Sequence, residues 1–171
     1  WYRYDDAFMR PEPEQPLNWV YGDCYPAVGA IATPADVEGA DDVMSLYLFE
    51  NHWMGIPAQI ARYVLRWDGF VSFNAGIAPR AVVTKPFTFE GGRLLVNFET
   101  SARGWMTIAL RHAESGEVLS SGELFGNRVN RIVDFGKDLA AMSGQPVVLE
   151  AVLCDADLYA FQFVPAEQKR D

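Results

Sequence analysis

Two runs near the middle of the chain place apolar residues on every second position. Leu94, Val96 and Phe98 stand on one side with Asn97 and Glu99 on the other, and Met106, Ile108 and Leu110 repeat the arrangement against Thr107 and Arg111. A helix repeats its faces every 3.6 residues, so a strict period of two demands half-buried β-strands. Gly91-Gly92 and Glu114-Ser115-Gly116-Glu117 bound these runs with turn chemistry. Whatever surrounds them must supply partner strands and a second apolar layer.

The rest of the second half supplies both. Ala81–Phe89 carries Val82, Val83, Phe87 and Phe89 around Lys85-Pro86, and Pro86 belongs at an edge or bulge because it has no N–H to donate. Val118-Leu119 and Val129–Phe135 read as strands, as do Val147–Leu153 and Tyr159–Phe163, the last with its aromatics facing in. Asp155-Ala156-Asp157 reads as the turn between those two. Asp138–Gly144 is the one convincing helical turn, with Asp138 as N-cap and Gly144 as stop. About seven such strands predict a two-sheet antiparallel sandwich of jelly-roll type, followed by a charged tail over 165–171.

The first half differs. Pro11, Pro13 and Pro16, with Pro26 just beyond, favour an extended connector over residues 1–22. Tyr25–Ala32, Val43–Phe49 and Gln59–Leu65 then read as three antiparallel strands, a meander of the kind that makes a propeller blade. Arg66–Phe73 is the hinge: Asp68-Gly69 is a tight-turn dipeptide in which Gly69 is free to take positive φ, and Phe70, Val71 and Phe73 resume an apolar strand. The expected organisation is a connector and blade-like meander over 1–65 and a β-sandwich over 66–164. The fold class is all-β.

Half of the 171 residues are apolar and 13% aromatic, enough for one good core or a main core and a satellite. A net charge of −9 lacks the clustered cations that nucleic-acid phosphates or an anionic membrane surface require, and uncharged partners such as sugars stay open. The longest apolar runs are far shorter than the roughly 20 residues of a helical bilayer span. Cys24 and Cys154 have no CxxC spacing and read as two buried small apolar residues, with a disulfide as the alternative. No metal set, cofactor motif or phosphate-cradling glycine loop is legible. The chain opens at Trp1, inside Trp1-Tyr2-Arg3-Tyr4, which leads us to expect a fragment.

The densest polar-aromatic cluster is Glu50-Asn51-His52-Trp53-Met54-Gly55, at a strand end where the chain turns. Glu50, His52 and Trp53 offer a carboxylate, an imidazole and an indole, which suit hydrogen bonding to sugar hydroxyls and stacking on a sugar face. An ordinary loop with a capping Glu and a packed Trp is the alternative. Asp23 and Tyr25 start the preceding strand and are candidates for the same pocket. Trp105, on the side opposite Met106 and Ile108, is a candidate sugar contact in the sandwich. No pair of carboxylates is convincingly placed for glycoside hydrolysis, and His52 and His112 fit no catalytic triad. Asp155 and Asp157 lack the other oxygen ligands of a calcium loop.

Leu65-Arg66-Trp67-Asp68-Gly69-Phe70-Val71-Ser72-Phe73, Thr84-Lys85-Pro86-Phe87, Phe89-Glu90-Gly91-Gly92 and Asp155-Ala156-Asp157-Leu158-Tyr159-Ala160-Phe161 are more distinctive. Over residues 20–164 the chain resembles the C-terminal region of glycosidase-like proteins of the five-bladed β-propeller superfamily of invertases, levanases and arabinanases. The resemblance implies a last blade before about residue 66, with Asp23 and Tyr25 on its inner strand and Glu50, His52 and Trp53 near the pocket rim, and then a β-sandwich. It carries no catalytic role to any residue here, because the family's catalytic acids come chiefly from earlier blades. Asn127 stands where the family leads us to expect an acidic residue.

The expected function is thus an accessory or support portion of a glycoside-hydrolase-like, carbohydrate-active protein, not catalytic alone. A carbohydrate-binding sandwich and a structural or oligomerisation domain are the alternatives. The expected partners are carbohydrate and the remainder of a propeller or a second copy.

Overall fold

A computed structural model describes residues 5, 8, 9, 25–51, 55 and 57–166. The protein is all-β with antiparallel, sandwich-like sheets, and the regular structure of the described residues is strand throughout except for one 3-10 turn. None of the described residues forms a helix long and apolar enough to cross a membrane. The chain divides into two compact units, Trp1–Phe70 and Val71–Asp171.

The first unit holds β1 (Tyr25–Pro26), β2 (Ile31–Thr33), β3 (Val43–Glu50) and β4 (Gln59–Arg66). The most apolar segment, β3, is central. It pairs with β4 from Val43↔Arg66 to Glu50↔Gln59, while β1 and β2 share its other edge. The apolar run from Tyr25 therefore makes two short strands, parted by Gly29 at φ 92°. Met44 and Leu48 are buried, and so is Ser45. A buried hydroxyl needs partners. Arg62 Nε donates to Ser45 Oγ at 2.8 Å, the same guanidinium donates to Thr33 Oγ1 at 2.9 Å, and the two hydroxyls are 2.7 Å apart. One arginine of β4 is thus bonded to both β2 and β3.

At the hinge the roles of the two turn residues are the reverse of the sequence expectation. Asp68 takes the left-handed conformation, at φ 52°, while Gly69 donates its N–H to the Arg66 carbonyl at 3.1 Å. Glycine is needed because a Cβ there would lie 2.8 Å from that carbonyl oxygen. Aspartate is among the few residues other than glycine that visit the left-handed region readily. Asp68→Val is expected to lose about 1–2 kcal/mol in urea denaturation, and Asp68→Gly to lose nothing.

The second unit is built on two long strands, β7 (Arg93–His112) and β10 (Val147–Val164), which lie side by side. β5 (Phe73–Ala75) and β6 (Arg80–Val83) share the free edge of β10, and β8 (Val118–Ser120) and β9 (Asn127–Ile132) that of β7. The sequence predicts two strands on each side; the structure has one, sharply bent. Between the pairs Cys154↔Trp105 and Ala156↔Thr100, Asp155 alone stands opposite Ser101–Gly104. This bulge curls the sheet, so that Leu94, Val96 and Phe98 from one limb and Met106, Ile108 and Leu110 from the other enter a single core with Leu149, Leu153 and Leu158.

The remaining expectations sort by local chemistry. Pro86 lies between two hydrogen-bonded points of the edge, Thr84 N–H to Leu149 O and Phe87 N–H to Val147 O, both 2.9 Å, where no proline N–H is required. Leu139–Met142 is the 3-10 turn, with the Asp138 carboxylate accepting from Ala140 N–H and Gly144 at φ 77° beyond it. Cys154 is half-buried on the outer side of the sheet rather than in the core, and its free thiol donates to the Ile77 carbonyl at 3.2 Å. Cys24 lies outside the described residues.

Candidate functional site

The expectation that Asp155-Ala156-Asp157 forms a turn is overturned: all three lie within β10. Asp155 sits at φ 47° in the bulge, with its N–H bonded to Gly76 O at 2.8 Å and its carboxylate accepting from Ser101 Oγ at 2.5 Å. A further register shift, between Leu158 and Ala160, takes Tyr159 out of the alternation. The sequence places Tyr159 inward with Phe161 and Phe163. The bulge instead lets its hydroxyl donate to Glu99 Oε1, on the outer side, at 2.9 Å.

Beyond the bend, register does what sequence distance conceals. Asn74 on β5 opposes Asp157 on β10, Asp157 opposes Glu99 on β7, and Glu99 opposes Asn127 on β9. Directly opposed residues share a face, so one polar row crosses four strands on the outside of the sheet. Its members are mutually oriented. Ser72 Oγ donates to Asp157 Oδ1 at 2.6 Å and Asn74 Nδ2 lies 3.1 Å from both Asp157 oxygens; Asn127 Nδ2 donates to Glu99 Oε2 at 3.3 Å. Asn74, Glu99, Asn127 and Asp157, with Thr100, Ser101, Asp155 and Ala156, line an open cleft of about 300 Å³.

Two features of this row are chemically telling. Glu99 and Asp157 are like charges on adjacent central strands, an opposition that destabilises a sheet. An acid at position 127, as the resemblance leads us to expect, would add a third carboxylate; asparagine instead brings an amide that donates to Glu99. Ionised carboxylates only accept hydrogen bonds, whereas amides and hydroxyls do both. The cleft therefore offers acceptors to a ligand rich in donors. Among the described residues no group of three or more His, Cys, Asp or Glu side chains is arranged to hold a metal ion.

Of the residues singled out from sequence, Tyr25, Glu50 and Trp105 are among the described residues. Tyr25 is exposed and opposes Phe49, so it lies on the opposite face of the sheet from Glu50. Glu50 is bound by its own neighbours: Gln59 Nε2 donates to Oε2 at 3.0 Å and the Tyr63 hydroxyl donates to Oε1. Both donors are side chains of the paired strand β4. Asp23, His52 and Trp53 lie outside the described residues. Trp105 is in the second unit, half-buried, on the outer side opposite Met106. His112 caps a turn, its Nδ1 accepting from the N–H groups of Glu114 and Ser115 at 3.2 and 3.1 Å.

The row itself escaped the sequence reading. Its legible signs were separate ones: Glu99 at an outward position of an alternating strand, the carboxylate of Asp157, and Asn127 where an acid was expected. Fold and site together define an all-β protein whose sandwich-like unit carries a polar, carboxylate-rich cleft on an outer sheet face. No protein family, curated protein or solved structure matches the chain.

Proposed function

We propose that the chain is an accessory portion of a glycoside-hydrolase-like, carbohydrate-active protein, and that its sandwich-like unit serves by holding saccharide. The resemblance carried by Leu65–Phe73 and Asp155–Phe161 supports the first part. The observation that carries the second is the row Asn74–Asp157–Glu99–Asn127, whose carboxylates are each oriented by amide and hydroxyl donors. Sugar hydroxyls are donors closely spaced along a ring edge, and a row of acceptors at the inter-strand spacing of about 4.8 Å meets them. The role this reading gives the site is to bind and orient.

The test is affinity electrophoresis of the full chain through gels containing soluble polysaccharides. The wild-type chain is expected to be retarded by at least one of them. Asp157→Ala, which removes the acceptor for Ser72 and Asn74, and Asn127→Ala should each weaken retention about tenfold, equivalent to ~1.4 kcal/mol, the scale of one hydrogen bond to a charged group. Unretarded migration of the wild-type chain through every polysaccharide would sink the reading.

A further inference from the structure

Two residues before Asn127 the chain carries an exposed aromatic side chain that the hydrogen-bonding argument leaves unused. We propose that Phe125 is the stacking platform of this site and that the ligand is an uncharged pyranose chain, an inference that rests on the saccharide reading above. Phe125 is 66% exposed. It is also held from both sides. Leu124, buried, exchanges backbone bonds with Met106 at 2.7 and 3.0 Å. Gly126 accepts from Thr100 N–H at 2.9 Å and donates its own N–H to Thr100 Oγ1 at 3.1 Å. Thr100 is part of the cleft wall. The backbone that carries this exposed aromatic is thereby held, with Gly126 bonded to that wall and Asn127, two residues along the chain from Phe125, in the row.

The pairing of chemistries fits one class of ligand. A pyranose presents hydroxyls at its edge and a broad C–H face above and below the ring, and an aromatic ring packs on that face. Phenylalanine has no polar tip, so it contributes stacking alone and leaves hydroxyl recognition to the row. Because the loop is pinned at Leu124 and Gly126, little conformational freedom is lost on binding. Charge narrows the class further: Glu99, Asp155 and Asp157 line the cleft and, among the described residues, no Lys or Arg does, so uronate or sulfated sugars are disfavoured. A furanose ring, smaller and puckered, offers the platform less area.

Calorimetric titration of the full chain with three probes tests this: neutral pyranose oligomers built on glucose, xylose or mannose, a neutral furanose oligomer, and a galacturonate oligomer. At least one pyranose oligomer is expected to bind best, Phe125→Ala to weaken it tenfold or more with an unchanged circular dichroism spectrum, and Phe125→Trp to retain it. If Phe125→Ala binds as the wild type while Asp157→Ala fails to bind, the platform is refuted and the saccharide reading stands. Tightest binding of the furanose or the uronate oligomer refutes the ligand class. No heat of binding from any probe overturns the inference together with the reading on which it rests.

Discussion

Replacing Gly104 by alanine is expected to destabilise the second unit by on the order of 3 kcal/mol. Gly104 is buried at the bend, opposite the bulged Asp155 of β10. A Cβ built on it would lie 2.1 Å from the Asp155 carbonyl oxygen and 2.8 Å from that of Cys154. Both obstacles are backbone, so neither can rotate aside. Its φ lies outside the left-handed region, so the requirement is space alone. Asp155 and Ser101 line the cleft, and any relaxation that relieves the clash displaces them. The variant should therefore lose saccharide retention along with stability. Gly122→Ala is the control: nothing lies within 4 Å of its Cβ position, and its stability should match or slightly exceed that of the wild type. Urea denaturation followed by far-UV circular dichroism reads both; equal midpoints for Gly104→Ala and Gly122→Ala would refute the account of the bend.

Phe98→Ala should cost about 3–5 kcal/mol. Phe98 heads the largest fully buried side chains and is wholly inaccessible. It faces the core from the central strand β7, opposite Leu158 of β10 and Arg128 of β9, so backbone on both sides holds the cavity open. The loss should appear as a lower urea midpoint with an unchanged slope. It should fall on the second unit, because Phe98 belongs to that unit's core cluster. Because Phe98 opposes Leu158, one residue from the Glu99–Asp157 pair and on the opposite face, Phe98→Leu should keep the polar row and retain saccharide while losing part of the stability. A midpoint for Phe98→Ala within 1 kcal/mol of the wild type would mean that the curled sheet does not close on this residue.

Much of the fold was legible because burial acts on alternate positions. Leu94, Val96, Phe98, Met106, Ile108 and Leu110 announced strands and their inward face, and every one is buried. Pro86 announced an edge and Asp138 a cap, through a missing donor and a spare acceptor. What misled was continuity. Asp155-Ala156-Asp157 carries turn-forming residues, and a turn was inferred there; the chain uses it, against Ser101–Gly104, to bend two strands without ending either. The Tyr159 bulge escaped for the same reason, since a one-residue slip leaves no mark on composition.

The site was less legible than the fold. Glu50, chosen for its aromatic neighbours, is occupied by Gln59 and Tyr63, and Tyr25 faces away from it. The polar row joins residues 74, 99, 127 and 157, which no local pattern connects.

The sequence alone determined the all-β class, the inward face of the long strands and the acidic character of the surface, because these follow from side-chain period, propensity and charge, which are local or additive. Tertiary structure alone decided that two pairs of strands are one bent pair, and that Asn74, Asp157, Glu99 and Asn127 stand in line. Register depends on pairing between segments up to 85 residues apart, and only the closed sheet sets it.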